Sequence, residues 1–287
     1  MTDPDRTAPR AKKRFGQHFL KDRHIVDRIL DALEAEAGEA FLEIGPGPGT
    51  LTIPFHARGF PLTAIEYDRE MVAYLRGLDF DPPLELIEAD FMDVDLDAFF
   101  ADRPQVKVFS NLPYNVSVPI TARLLPYRQQ IPLMVMMYQK EVAERIRAQP
   151  GTGEYGIISV LVRLFYRIDM HFNVAPGSFQ PPPKVQSQVI RMHRLERPLL
   201  TVGDIGPLTC LLRTLFGRRR KMVTGVLKKH GGDLKNAGVD WMDRGSLLES
   251  FQNLGFDTKV RPENLTPEDY AAWLCRTKEY HERESRD

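Results

Sequence analysis

Ala40-Phe41-Leu42-Glu43-Ile44-Gly45-Pro46-Gly47-Pro48-Gly49 is a short apolar run that ends in three glycines alternating with prolines. Its first five residues read as a buried strand. The glycines let the chain turn tightly and approach a ligand with no Cβ in the way. The spacing departs from the dinucleotide fingerprint, whose third glycine follows two intervening residues, and it lacks the Gly-Lys-Ser/Thr ending of a phosphate loop. Taken alone, these residues also fit a glycine-rich connecting turn.

Working outward, residues 25–33 have helical apolar spacing and precede the strand. A second helix is predicted over 50–58, with Pro54 as its weak point, and a third over 69–75. Further strands are predicted at 62–65, ending at Glu66, at 84–87, leading to Asp90, and at 106–109, leading to Ser110-Asn111-Leu112-Pro113-Tyr114. Residues 131–138 read as another strand, 139–148 as a charged helix, and 157–166 as a helix or strand. Residues 168–174 and 186–192 close the sheet as an antiparallel pair. The repeated strand–helix unit predicts an α/β sheet of mostly parallel order, with ligand groups just beyond the strand ends. Past a hinge at 198–207, leucines and aromatics recur at helical spacing. The expected division is residues 1–200, with a basic N-terminal extension, and a smaller helical domain over 201–287.

The glycine loop resembles the Glu-x-Gly-x-Gly-x-Gly loop of S-adenosylmethionine-dependent methyltransferases, which implies a Rossmann-like sheet. Glu66 ends the next strand, where a carboxylate can accept both ribose hydroxyls of an adenosine ligand. Asp90 ends the third strand and can accept from an adenine amino group, with Phe91 lining the ring pocket. Either acid also fits a helix cap or a surface carboxylate. Glu43 is read as binding loop N–H groups or organising the methionine end of the cofactor. Asp68 and Asp93 receive no role.

Ser110-Asn111-Leu112-Pro113-Tyr114 resembles the Asn/Asp-x-Pro-Tyr/Phe motif of enzymes that methylate exocyclic amino groups. Such a nitrogen is planar, its lone pair delocalised into the ring, so transfer needs positioning and electronic help more than a strong base. The Asn111 oxygen and the Leu112 carbonyl can each accept one N–H, favouring positive charge on nitrogen as it attacks a sulfonium methyl without a metal. Pro113 biases Leu112 toward an extended backbone. Tyr114 can stack on the base, worth ~1–3 kcal/mol. A base held this way must be flipped or unpaired. In Phe179-Gln180-Pro181-Pro182-Pro183-Lys184-Val185, three prolines stiffen an extended segment that holds Phe179 for the base's other side. The plainer alternatives are an Asn-Pro turn with a core tyrosine, and a rigid crossover.

Composition bounds the rest. The chain has 287 residues, 43% hydrophobic and 27% charged, enough for one large core or two domains and too apolar for wholesale disorder. No uncharged apolar stretch approaches the length of a membrane span, and the N-terminus lacks a signal-like apolar run. Cys210 and Cys275 are too few for a disulfide scaffold, so a reducing cytosol is the simplest setting. The zero net charge hides an asymmetry: residues 31–110 carry 5 Lys/Arg against 17 Asp/Glu, whereas 201–235 carry 8 against 2. Basic flanks around an acidic block suit a polyanion, although solvated faces would look the same.

Together with Phe15-Gly16-Gln17-His18-Phe19-Leu20, Leu215-Phe216, Arg219-Arg220-Lys221 and Arg261-Pro262-Glu263-Asn264-Leu265, these motifs resemble the ribosomal RNA adenine-N6,N6-dimethyltransferases over roughly residues 12–274. The resemblance implies S-adenosylmethionine as cofactor and a pair of adjacent adenosines near the 3′ end of small-subunit rRNA as target, each dimethylated. It implies that Gln17, His18 and Phe19 lie over the cofactor, that Gly45 and Gly47 approach its methionine portion, that Glu66 and Asp90 hold ribose and adenine, and that Asn111, Leu112, Tyr114 and Phe179 handle the base. Lys12, Lys13, Arg14, Arg218, Arg219, Arg220, Lys221, Lys228 and Lys229 are the expected phosphate-binding groups. The implied setting is a monomer in the cytoplasm acting on a pre-ribosomal particle. Dimethylation of large-subunit rRNA, and a non-catalytic assembly scaffold, are the alternatives.

Overall fold

The computed structural model describes residues 8–12, 16–231, 234 and 241–284. The chain forms two compact units. Unit 1 holds the residues through Ala143 together with Arg167–Arg194, and unit 2 holds Glu144–Tyr166 and the residues from Leu195 onward.

In unit 1, strands and helices alternate as β1 (Phe19–Leu20), α1 (Arg23–Asp31), β2 (Ala40–Ile44), α2 (Thr52–His56), β3 (Leu62–Glu66), α3 (Arg69–Arg76), β4 (Glu85–Glu88), α4 (Leu96–Ala101), β5 (Val106–Asn111), α5 (Ser117–Leu124) and β6 (Leu133–Gln139). The strands β7 (Tyr166–Val174), β8 (Phe179–Gln180) and β9 (Ser187–Arg194) complete the unit. The main sheet has the order β4-β3-β2-β5-β6-β9-β7. Its pairings are parallel from β4 through β6, and β9 then runs antiparallel to β6. From β2 the chain builds outward through β3 and β4, then returns to lay β5 on the other side. That reversal opens a crevice at the carboxyl ends of β2 and β5, the general ligand position in open α/β sheets. A separate ribbon joins β1 to β8, with Phe19 opposite Gln180 and Leu20 opposite Phe179.

Local chemistry explains the elements. Asp22 caps α1 by accepting from the His24 and Ile25 N–H groups, and Ile25, Val26, Ile29 and Leu30 turn one apolar stripe inward. Leu133–Tyr138 are all buried, as expected of a strand covered on both faces. The helix expected over 50–58 is reduced to Thr52–His56. Pro54 falls in its first turn, where a missing N–H costs nothing, but the segment adds no further turn. β5 extends two residues beyond the expected 109, making Asn111 its last residue, opposite Met137.

Unit 2 is helical: α6 (Lys140–Arg147, entering at Glu144), α7 (Ile157–Phe165), α8 (Ile205–Phe216), α9 (Val223–His230), α10 (Arg244–Asn253) and α11 (Pro267–Glu284). Trp273 is buried at its centre, edge-on to Phe251 at 4.8 Å, and its indole N–H donates to the Leu247 carbonyl. The segment read as helix or strand is α7, with seven of nine residues buried, as expected of a helix largely enclosed by others. It joins the later helices, so the chain divides at 143, 166 and 194 rather than at one boundary near 200.

Candidate active site

The crevice is a cavity of about 270 Å³ whose floor is the glycine loop. Gly45, with φ +68°, donates its N–H to the Ile65 carbonyl, and Gly47, with φ +56°, donates to Glu66 Oε2 at 2.9 Å. Both conformations are left-handed, which only glycine adopts cheaply. A Cβ on Gly47 would stand 3.2 Å from Phe19 Cε1, so the loop is bare where the Phe19 ring closes over it.

Four carboxyl groups line this space. Glu43 is buried at the end of β2 and accepts from the Thr52 hydroxyl at 2.6 Å. Burial, with the nearby Glu66 charge adding to it, pushes its pKa up to about 8 despite the Thr52 hydrogen bond. Glu66 is buried as well, and burial raises it although the Asp68 and Gly47 N–H groups each bind one of its oxygens. Each oxygen keeps a lone pair for a further donor. Asp68 goes the other way. Burial opposes its charge, but the Lys12 ammonium at 2.7 Å, the Glu70 N–H and the Gln17 amide outweigh it and hold the pKa below the ordinary carboxylate value. Asp90 lines the same cavity from a more exposed position and accepts the Met92 N–H.

The opposite wall comes from the end of β5 and from residues 16–19. Ser110 donates its hydroxyl to the Ile44 carbonyl, tying the ends of β5 and β2 together. Asn111 Nδ2 donates to the His18 carbonyl at 3.2 Å, which leaves the amide oxygen as its acceptor branch. Leu112 and Tyr114 follow along the wall. The Tyr114 ring stacks on His18, with centroids 5.7 Å apart and planes inclined 27°. Burial raises the Tyr114 pKa, partly offset by its hydrogen bond to Ser187. His18 Nδ1 donates to the Pro181 carbonyl, and Gln17 spans Asp68 and the Lys12 N–H.

The structure thus gathers Gln17, His18, Phe19, Glu43, Gly45, Gly47, Glu66, Asp90, Asn111, Leu112 and Tyr114 around one cavity. Phe179 and Phe91 are not among its lining residues. The Phe179 ring is directed by its pairing with Leu20 into the core shared with Ile25, Val174 and Val189, and is 1% exposed. Phe91 is buried, with the Arg123 guanidinium over its ring and bound to its carbonyl. Lys12 is committed to Asp68 and Glu70 rather than open to phosphate. Lys13 and Arg14 lie outside the described residues, as does Phe15 of the N-terminal motif. In unit 2, Arg218, Arg220, Lys221, Lys228 and Lys229 are exposed, while Arg219 donates to the Gly153 carbonyl at 2.8 Å. Sequence reasoning misses Asp68 because an acid opening a helix looks like an ordinary cap, which it also is.

The pattern of the family described as ribosomal RNA adenine dimethylase matches residues 8–245. A ribosomal RNA small subunit methyltransferase A of Porphyromonas gingivalis is 40% identical over 263 residues, covering 92% of this chain and 96% of that protein. Among solved structures, a dimethyladenosine transferase from Plasmodium falciparum aligns with a TM-score of 0.75 at 27% identity, covering 91% of this chain and 98% of that one. The 23S rRNA methyltransferase ErmE aligns at 0.61 and 22% identity over 91% and 99%, a likeness of fold alone.

Proposed function

This chain belongs to the ribosomal RNA adenine dimethylase family, and from that premise we propose how its residues serve the reaction. The protein transfers methyl groups from S-adenosylmethionine to the N6 amino groups of two adjacent adenosines near the 3′ end of small-subunit rRNA, giving N6,N6-dimethyladenosine. The observation that carries the site reading is the convergence of Asn111 with Glu66 and the glycine loop on one cavity, one N–H of the Asn111 amide being bound to the His18 carbonyl.

The donor set fits the cofactor. Glu66 retains acceptor capacity for ribose hydroxyls, Asp90 stands at a strand end for the adenine amino group, and Gly47 gives a backbone approach that a Cβ would obstruct. When bound, S-adenosylmethionine supplies a sulfonium-activated methyl group for direct substitution by a nitrogen lone pair. The Asn111 oxygen accepts one N–H of the target amine and the Leu112 carbonyl the other, stabilising the positive charge that develops on nitrogen before its proton leaves. Tyr114 supplies an aromatic face for the base, which enters unpaired. The exposed Arg218, Arg220, Lys221, Lys228 and Lys229 bind rRNA phosphates and supply salt-dependent affinity without reading sequence. No helix of the described residues is long and apolar enough to cross a membrane.

The test offers labelled methyl donor to undermethylated small-subunit particles, free rRNA and DNA, then maps the modified nucleotide. Label on two neighbouring adenosines of the small-subunit RNA is expected. Label confined to large-subunit RNA, or cofactor binding with no transfer to any RNA, overturns the assignment.

A further inference from the structure

Tyr114 is held at three points. Its hydroxyl shares a 2.8 Å hydrogen bond with Ser187 Oγ, its ring face lies on His18, and its carbonyl accepts the Ser117 hydroxyl at 3.1 Å. These restraints differ in kind. His18 belongs to a segment that covers the cavity, and Ser117 fixes only the backbone. Ser187 alone fixes the far end of the ring. It is 0% exposed and opens β9, opposite Gln139 in the long β6–β9 pairing, so the main sheet sets its position. A residue following β5 is thereby referenced to a strand two places away in the sheet.

We propose that Ser187 is a positioning residue for methyl transfer, its hydroxyl setting the plane of the Tyr114 ring so that the target base is received at one fixed angle to Asn111. This deepens, and rests on, the role given to Tyr114 above. The tyrosine hydroxyl then acts as an anchor and takes no part in proton transfer. An aromatic side chain has few rotatable bonds, so a single tether at its tip removes most of its remaining freedom, and a site built from a rigid strand is held more closely than one built from a loop. Without the tether the ring still packs, but it samples orientations in which the amino nitrogen is off the line of attack.

The experiment compares Ser187→Ala, Ser187→Thr, Tyr114→Phe, Tyr114→Ala and the double variant Ser187→Ala/Tyr114→Phe, using undermethylated small-subunit particles and calorimetric titration of S-adenosylmethionine. Ser187→Ala and Tyr114→Phe should each lower kcat about tenfold, as expected for one lost hydrogen bond that orients a reacting group, and leave cofactor affinity unchanged. Ser187→Thr, which restores a hydroxyl, should recover most of the rate. The double variant should be no slower than either single one, because both remove the same bond. Multiplying effects in the double variant, or a normal kcat in Tyr114→Phe, overturns the proposal. Should Ser187→Ala fail to fold, Tyr114→Phe and Ser187→Thr still decide it. Full activity in Tyr114→Ala would sink the role of Tyr114 itself. An inactive Tyr114→Ala beside a normal Ser187→Ala would remove the anchor alone.

Discussion

Gly47→Ala tests the link between backbone shape and cofactor binding. Its φ of +56° is left-handed, so a Cβ there costs ~1–2 kcal/mol in backbone strain. The new methyl carbon would also sit 3.2 Å from Phe19 Cε1, close enough to push the ring by a few tenths of an ångström. Phe19 lines the cavity, so the shift intrudes on ligand space, and the Gly47 N–H to Glu66 bond is disturbed with it. If the displaced Glu66 carboxylate then loses one charge-assisted hydrogen bond to the ligand, binding weakens about ten- to hundredfold. The expected result is that loss in S-adenosylmethionine affinity by calorimetry, with a thermal midpoint lower by roughly 2–4 °C per kcal/mol of strain. Adding Phe19→Ala should recover part of the affinity by opening room for the new methyl, but none of the strain. Unchanged affinity beside a lowered midpoint would mean that the bare backbone at 47 does not face the ligand. If neither quantity moved, the left-handed turn itself would be wrong.

Asn111→Ala should lower kcat by about 10²–10³ while cofactor affinity is retained, if the lost acceptor acts on the target amine as proposed; single-turnover methylation at normal rate would contradict this. Glu43 holds a proton in the folded protein up to about pH 8 that the unfolded chain releases near its ordinary value of 4.5. Its contribution is therefore complete below 4.5 and is lost as pH rises toward 8, on the order of a few kcal/mol in all. Glu43→Gln should flatten that decline in urea unfolding across this range, and equal slopes in variant and parent would refute the buried-acid reading. Neutralising Arg218, Arg220 and Lys221 together should reduce the salt dependence of rRNA binding by about 0.7–0.9 log units per log unit of salt for each phosphate left without its cation. An unaltered salt slope would move the phosphate-binding surface elsewhere. Arg219→Ala should instead lower the thermal midpoint, since that side chain is bound to the Gly153 carbonyl, and a change in rRNA affinity with no change in midpoint would count against it.

The sheet and its crevice are legible because the strands are short, apolar and end in chemically distinctive residues: Glu43 with the glycines, Glu66, Asp90 and Asn111. Length and these bounding residues, together with the apolar pattern, decide such elements. What escapes depends on distant pairing. Nothing in Phe179-Gln180-Pro181-Pro182-Pro183 says which way the aromatic ring faces; its antiparallel partner Leu20 fixes that, and directs it to the core. Asp68 is invisible for the same reason, since Lys12, the partner that makes it more than a cap, lies 56 positions away. The charge run at the N-terminus reads as phosphate-binding because counting charges cannot reveal that Lys12 is already matched by Asp68 and Glu70. For 157–165, a mostly apolar stretch leaves helix and strand open, and the structure resolves it as a largely buried helix of the helical unit.

The β1–β8 ribbon has a bearing on how the enzyme comes into being. Residues 16–19, which roof the cavity, are moored to a strand near the far end of the unit's sequence, and the Pro181 carbonyl that holds His18 lies just past that mooring. A chain emerging from a ribosome can assemble its early strands and glycine loop first, and Asp68, Asn111 and Tyr114 then hold Gln17 and His18, but the strand partner of Phe19 and Leu20 arrives only with residues 179–180. The last two anchors of the roof, the β8 pairing and the Pro181 carbonyl, are thus the latest to be synthesised of all its contacts.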